Sequence, residues 1–323
     1  MTISGFFCPR THEPLTISAD NLFMTSPAGH RYPIVDGIPA LLLNAGHQEA
    51  LSENHTYYSA RATEYDRGND VMFRMLLSEE EPTRAEMAAM LNIASGDRVL
   101  EVGCGTGRDT IHLLRRGAQL YASDLSREMI LICRERLRAV GADTSRLRLF
   151  LADAMRLPFP DRFFDAAFHF GGLNLFPDIA AALTEMARVV KPGGRVVAGD
   201  EGVGAWLADT DFAKILKNSN PLFKHRAPLD KIPVNARNVT CRWILNGSFY
   251  LIAFDIGNGE PQLDLDVQFP GSRGGSHRTR YFGQLEGVSP ELRDAVIKAA
   301  ASEGVPVATW LETALCRALN NKA

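Results

Sequence analysis

No run of eighteen apolar residues occurs in the 323-residue sequence, so no membrane-spanning helix is expected. Neither sign of charge dominates. Thirty-five Lys and Arg stand against 38 Asp and Glu, which leaves a net charge of −3 with histidine neutral. That balance gives no broad field to draw in nucleic acid. Cysteine is scarce: Cys8, Cys104, Cys133, Cys241 and Cys316 are scattered and odd in number. They suit a reducing compartment rather than a disulfide framework, and a cytoplasmic location is expected. The first residues, Met1-Thr-Ile-Ser-Gly-Phe-Phe7, show neither a basic region nor a long apolar run, so no secretory signal is expected. Two nucleotide signatures are also missing. Counted from Gly103, the last position of G-x-G-x-x-G falls on Arg108, and no G-x-x-x-x-G-K-[ST] occurs.

What is present centres on Val99-Leu-Glu-Val-Gly-Cys-Gly-Thr-Gly-Arg108. A short apolar strand carrying Glu101 runs into Gly103, Gly105 and Gly107. Glycines let the backbone turn tightly and let a ligand come against bare main chain. The helix expected next turns its N-terminal amides toward that ligand. A nucleoside-bearing cofactor is expected here. The next apolar strand, Gln119 to Ser123, ends in Asp124, about where an acid reaches ribose hydroxyls. Ser126 is a good N-cap for a helix to Ala139. Ile130, Cys133 and Leu137 make its apolar stripe, which assigns Cys133 to the core. Cys104, inside the glycine loop, has no paired base beside it and reads as a space-filler. A strand from Leu147 to Leu151 precedes Ala152-Asp153-Ala154. Leu157-Pro-Phe-Pro-Asp161 precedes a strand from Phe163 to Phe170. A helix through Glu185 to Val190 leads to Lys191-Pro-Gly-Gly194 and a strand from Arg195 to Gly199. Residues 205 to 219 look helical, and Arg242 to Phe254 reads as a hairpin about Asn246-Gly247.

The pattern E-x-G-x-G-x-G, followed by these elements in order, resembles class I S-adenosylmethionine-dependent methyltransferases over roughly residues 90 to 200. It is most similar to the branch of small-molecule enzymes that includes the quinone-biosynthesis C-methyltransferases. The resemblance implies an α/β, Rossmann-like, seven-stranded sheet with helices on both faces, the hairpin supplying its last two, antiparallel strands. It also implies S-adenosylmethionine as cofactor. Glu101, Gly103 and Gly105 would then lie against the methionine portion and ribose, with Gly107 completing the loop, and Glu101 would accept backbone amides of the loop. Asp124 would take the ribose 2′ and 3′ hydroxyls, and Leu125 one face of the adenine. Asp153 would accept from the adenine amino group, and the Ala154 amide would face a ring nitrogen. In this family the preceding helices bring an aromatic or polar residue to the methionine end. Tyr57, Tyr58 and Tyr65-Asp66 fit that description, and equally fit plain helix packing.

Methyl transfer from a sulfonium is an in-line displacement that needs alignment and, for a protonated acceptor, a base. In doubly wound folds the substrate lies beyond the carboxyl ends of the strands. That places His169 and Gly171-Gly-Leu-Asn174 near the reacting centre after the fourth strand, and Asp200 and Glu201 after the fifth. His169, Asp200 and Glu201 are the candidate catalytic residues. Tyr57, Tyr58 and Asn174 are the candidate contacts to a small-molecule methyl acceptor. A purely structural role stays open for each.

The flanks suggest further units. Residues 1–45 resemble the zinc-ribbon-like domain that precedes some methyltransferases, including ribosomal RNA guanine methyltransferases. Cys8, Thr11, Ser26 and His30 stand at the ligand positions. A structural zinc wants four N or S ligands. Two hydroxyls in place of thiolates make a metal-free ribbon the expectation, with a turn at Asp36-Gly37 and Pro39 on an edge strand. A helical cap over 46–90, a methyltransferase domain over 91–256 and an appendage over 257–323 complete the expected organisation. The loop Pro270 to Arg280 is locally basic, fit to nest an anion or to lie in solvent. In the tail, Ser289-Pro290 starts one helix and Gly304 ends it, and Trp310, Leu311 and Leu315 stripe the next. With a strand from about Thr279 to Leu285, this resembles the ribbon-helix-helix domain of small bacterial repressors and antitoxins. A homodimer or packing on the catalytic domain is expected of it rather than DNA reading. Two other readings stay open: methylation of RNA or another macromolecule, and a cofactor-sensing DNA-binding regulator displaying Arg278 and Arg280.

Overall fold

The structure, a computed structural model, describes residues 5–43, 64, 66–265, 267–270, 276–277 and 288–320. Tyr57, Tyr58, Tyr65, Arg278, Arg280 and the expected strand near 279–285 lie outside the described residues. The chain divides into two compact units, Met1–Glu260 and Pro261–Ala323.

The larger unit is built on seven strands: β5 (Arg98–Val102), β6 (Gln119–Asp124), β7 (Leu147–Leu151), β8 (Phe164–Phe170), β9 (Val190–Glu201), β10 (Ala236–Ile244) and β11 (Phe249–Ile256). Their order is β10-β11-β9-β8-β5-β6-β7. Strands β5 to β9 pair in parallel, and β11 runs antiparallel to both β9 and β10. Of the hairpin's two strands, therefore, β11 alone opposes the rest. Its turn carries Leu245, Asn246 and Gly247 at positive φ, as the Asn-Gly pair foretells. The chain moves outward from β5 through β6 to β7, then returns to lay β8 on the other flank of β5. That reversal opens a crevice at the carboxyl ends of β5 and β8.

The parallel strands read as unbroken apolar runs because both faces are covered; Val99, Leu100, Leu120 and Ala122 are fully buried. Helix α4 (Arg127–Ala139) follows β6, and Ser126 Oγ accepts the Met129 amide at its start. Its stripe of Ile130, Cys133 and Leu137 is wholly buried. Helix α3 (Thr110–Arg115) follows β5 and α5 (Ile179–Val189) follows β8. Strand β9 starts earlier than the sequence suggests. Its register against β8 slips between Phe164 and Ala166, which absorbs Lys191-Pro-Gly-Gly194 within the strand. The expected helix over 205–219 is broken into a short 3₁₀ turn at Ala205–Leu207 and α6 (Asp211–Ser219). Before the sheet, residues 66–75 (α1) and Glu80–Ala89 (α2) are helical.

Residues 5–43 form a small antiparallel sheet of β1 (Thr16–Ile17), β2 (Phe23–Thr25), β3 (Arg31–Val35) and β4 (Ile38–Pro39). Asp36 and Gly37, both at positive φ, make the turn between β3 and β4. Phe6 is buried against Phe150 and Tyr121, with ring centroids 5.1 and 6.1 Å away. The Leu41 amide donates to the Leu151 carbonyl at 2.9 Å, capping the edge strand β7 of the main sheet. Three of the four ligand-like side chains have other partners. Cys8 Sγ meets Tyr32 Oη at 3.1 Å, Thr11 donates to Glu13, and Ser26 Oγ accepts the His30 amide.

The second unit holds α7 (Pro290–Ser302), capped by Ser289, and α8 (Val307–Asn320), with Gly304 at positive φ between them. Val296 and Ala300 are buried, whereas Leu292, Leu315 and Leu319 are 52, 60 and 71% exposed.

Candidate active site

The crevice holds a cleft of about 1010 Å³, its open mouth included. Gly103 and Gly105 border it. At Gly103, φ is +66°, and a Cβ would come within 3.2 Å of His169 Cε1. Gly107 has a different task. It faces α4, where a Cβ would fall 2.6 Å from Cys133 Sγ, and it does not line the cleft. Asp124 lines the cleft with both oxygens already engaged: Oδ2 accepts the Gly105 amide at 2.8 Å and Oδ1 the Ser126 amide at 2.9 Å. A carboxylate is an acceptor of the kind that takes a ligand's hydroxyls. Asp153 is held through Oδ1 by the Met155 amide at 2.9 Å, and Leu125, Met129, Ala154 and Met155 supply apolar wall around it.

The other end of the cleft is made by β8, β9 and their loops. His169, 1% exposed, places Nδ1 2.7 Å from the Val102 carbonyl. A carbonyl can only accept, so Nδ1 carries the proton and Nε2 presents a lone pair. Nε2 has no hydrogen-bond partner. Burial pushes the imidazole below its ordinary pKa, against the opposing pull of Asp200, so the ring is neutral near pH 7. Asp200 is fully buried, its oxygens accepting the Asn174 amide at 2.5 Å and the Glu201 amide at 2.8 Å. Glu201 lines the cleft, and its Oε2 has no partner. Burial, then the neighbouring Asp200 charge, raises its carboxyl well above the ordinary range. Asn174 does not line the cleft. Its amide group donates to the Glu201 carbonyl and accepts from Tyr250 Oη at 2.9 Å, so it braces β9 and β11.

Glu101 also departs from expectation. It is 2% exposed beneath the loop, takes the Thr110 hydroxyl at 2.8 Å, and lines no part of the cleft. Burial, followed by the Asp109 charge, raises its carboxyl well above the usual range. A smaller cleft of about 470 Å³ lies along the glycine loop. It shares Gly103, Gly105, Gly171 and Glu201 with the first and adds Asn69, Arg84, Arg108 and Asp109.

Comparison with known proteins agrees with this layout. The family described as a methyltransferase domain matches residues 100–198, the stretch from β5 into β9. Residues 100–198 of this chain are a methyltransferase domain. The chain is 36% identical over 126 residues to Methyltransferase GfsG of Streptomyces halstedii, covering 39% of this chain and 45% of that protein. It is 39% identical over 140 residues to a demethylmenaquinone methyltransferase of Mycobacterium sp. (strain KMS), covering 43% and 56%. A demethylmenaquinone methyltransferase of Geobacillus kaustophilus is 34% identical over 155 residues, covering 47% and 64%. The chain spans about half the length of the curated relatives it matches.

The residues present fit the cofactor. The methyltransferase loop brings bare backbone at Gly103 and Gly105 beside an acid, Asp124, and a mostly apolar slot with one further acid, Asp153. The structure brings Gly103, Gly105, Asp124, Leu125, Asp153, Ala154, His169 and Glu201 to one cleft, and sets Glu101, Gly107, Asp200 and Asn174 behind its walls. Sequence reasoning missed Met129, Met155, Phe176 and Leu222. Met129 was open to discovery, one place before the stripe residue Ile130. Leu222 joins from a 3₁₀ turn far along the chain, where no motif marks it.

Proposed function

We propose that this chain is an enzyme that moves a methyl group from S-adenosylmethionine to a small-molecule acceptor held between β8, β9 and the Gly171–Pro177 loop. The observation that carries the reading is the lone pair of His169 Nε2. It is unpartnered, held in place through Nδ1, and lines the same cleft as Asp124. The bound cofactor supplies a methyl group already activated on sulfur. The chain's residues do the rest. Asp124 and the glycine loop hold the nucleoside, Leu175, Phe176 and Leu222 shield the acceptor from water, and His169 removes the acceptor's proton. Asp200, pinned by two amides, stabilises the imidazolium that forms. Glu201, holding its own proton, donates to an acceptor oxygen. The names of the relatives, which include enzymes of a small quinone, support a small-molecule acceptor.

The scattered free cysteines support a cytoplasmic site of action. The exposed leucines of α7 and α8 support a homodimer closed through that face. Incubation with methyl-labelled S-adenosylmethionine and a fractionated small-molecule extract tests the main reading. Label should enter a small organic molecule. Label in RNA or protein, or in nothing, overturns it.

A further inference from the structure

Tyr250 puts a hydroxyl into a stretch of β11, Phe249 to Phe254, that is otherwise apolar. It is fully buried. Burying a hydroxyl costs free energy unless it is hydrogen-bonded, and phenylalanine would fill the same space without that cost. The ring is fixed on two sides. Trp243 packs edge-on with its centroid 6.2 Å away, and a Cβ on Gly202 would come within 3.0 Å of the ring's Cδ1. Burial, then the Asp200 charge, pushes the phenol's pKa up, so the hydroxyl keeps its proton. It donates to Asn174 Oδ1 at 2.9 Å.

Asn174, in the 3₁₀ turn Leu173–Leu175, makes two more bonds. Its backbone amide donates to Asp200 Oδ2 at 2.5 Å, and its Nδ2 donates to the Glu201 carbonyl at 2.8 Å. Asp200 Oδ1 takes the Glu201 amide at 2.8 Å. The main chain of Glu201 is therefore gripped on both sides of its Cα. In the same loop as Asn174, Leu175 and Phe176 line the larger cleft, as Glu201 does. Tyr250 borders neither cleft. The sense of these bonds matters. Asn174 Oδ1 can only accept and Nδ2 can only donate. The Tyr250 hydroxyl and the Glu201 carbonyl together hold the amide in one of its two orientations. Turned over, it would set oxygen against oxygen at Glu201.

We infer that Tyr250 is a positioning residue for methyl transfer: acting through Asn174, it holds Glu201 and the Leu175–Phe176 wall at the acceptor end of the cleft. The reaction it serves is that of the reading above; the route through Asn174 rests on the bonds themselves. Tyr250 lies beyond the segment that matches the methyltransferase family, so the antiparallel part of the sheet supports the site from outside that segment.

Tyr250→Phe keeps the ring and removes only the hydroxyl. Its test is label transfer from methyl-labelled S-adenosylmethionine into a small-molecule extract held at one saturating amount. The rate at saturating S-adenosylmethionine should fall about three- to tenfold, the worth of one buried hydrogen bond. The KM for S-adenosylmethionine should stay within about twofold of wild type, because the nucleoside is held on the other side of the cleft. Asn174→Ala should lose at least as much rate as Tyr250→Phe. The double variant should be no slower than Asn174→Ala alone, since Tyr250 acts only through Asn174. Thermal midpoints check each fold. If Asn174→Ala does not fold, the split between rate and KM in Tyr250→Phe decides. An unchanged rate in Tyr250→Phe, a KM that moves in step with the rate, or additive losses in the double variant overturns the assignment and leaves methyl transfer standing. Wild type that transfers no label overturns both.

Discussion

At the carboxyl end of β6, each oxygen of Asp124 already receives a backbone amide, from Gly105 and from Ser126. Across the crevice, at the ends of β8 and β9, His169 Nε2 and Glu201 Oε2 receive nothing. The two sides of one cleft thus treat their polar atoms in opposite ways. On the β6 side the backbone fixes the acid before any ligand arrives, so little ordering remains to be done on binding. On the β8–β9 side, these two atoms stay desolvated and unpaired, which costs stability and is tolerated where reactivity depends on it. On the proposed reading, holding and reacting fall to different strands.

That contrast can be broken from either side. The largest effect should come from His169→Gln. It should cut label transfer by roughly 10² to 10⁴ if the imidazole is a general base, with S-adenosylhomocysteine affinity within about twofold of wild type. Because burial lowers the His169 pKa, the acid limb of the pH profile should lie below the ordinary histidine value of 6.5. An acid limb above it, or parallel losses of activity and affinity, would place His169 among the scaffold. Next is Gly107→Ala. A methyl group there would meet Cys133 Sγ at 2.6 Å with φ at +84°. Strain and overpacking together should cost about 2–4 kcal/mol in urea unfolding. A neutral result would show that α4 yields easily.

Asp124→Ala comes third, with an expected loss of S-adenosylhomocysteine affinity of at least about tenfold by calorimetry. Unchanged affinity would remove the ribose assignment. The smallest effect concerns Glu101, which sits behind both sides. Its folded pKa is raised, so the folded chain keeps a proton that the unfolded chain releases above its ordinary value near 4.5. Wild-type stability therefore falls as pH rises through and beyond that value. Gln at this position accepts from Thr110 and has no proton to lose. The Glu101→Gln melting temperature should match wild type near pH 4 and exceed it by about a few degrees at pH 7. A gap that shrinks with rising pH would contradict the buried, protonated carboxyl.

The β6 side was legible in the sequence because its signals are local. Gly103, Gly105, Asp124 and Ser126 occupy fixed places after two apolar strands, and the Ser126 cap and the Ile130–Cys133–Leu137 stripe follow from short-range spacing. The sequence did not give away the pairings across distance. Arg84 meets Asp109 from another helix. Asn174 is occupied by Glu201 and Tyr250, so a polar residue in the right loop turned out to be a brace. Glu101 ends up beneath the loop because Thr110, from the following helix, takes its oxygen. A polar residue's type says what bonds it can make, but only its spatial neighbours decide whether any are left for a ligand.

One consequence concerns the order in which the molecule can take shape. The Leu41 amide is matched to the carbonyl of Leu151, and Phe6 rests on Phe150 and Phe159, more than a hundred places further along. During synthesis residues 6–41 emerge long before those partners exist. The small sheet must wait, its apolar side uncovered, until β7 and the Phe159 segment after it have left the ribosome. Contacts of such long sequence separation form slowly. The part of this chain delivered early is among the last to be set in place.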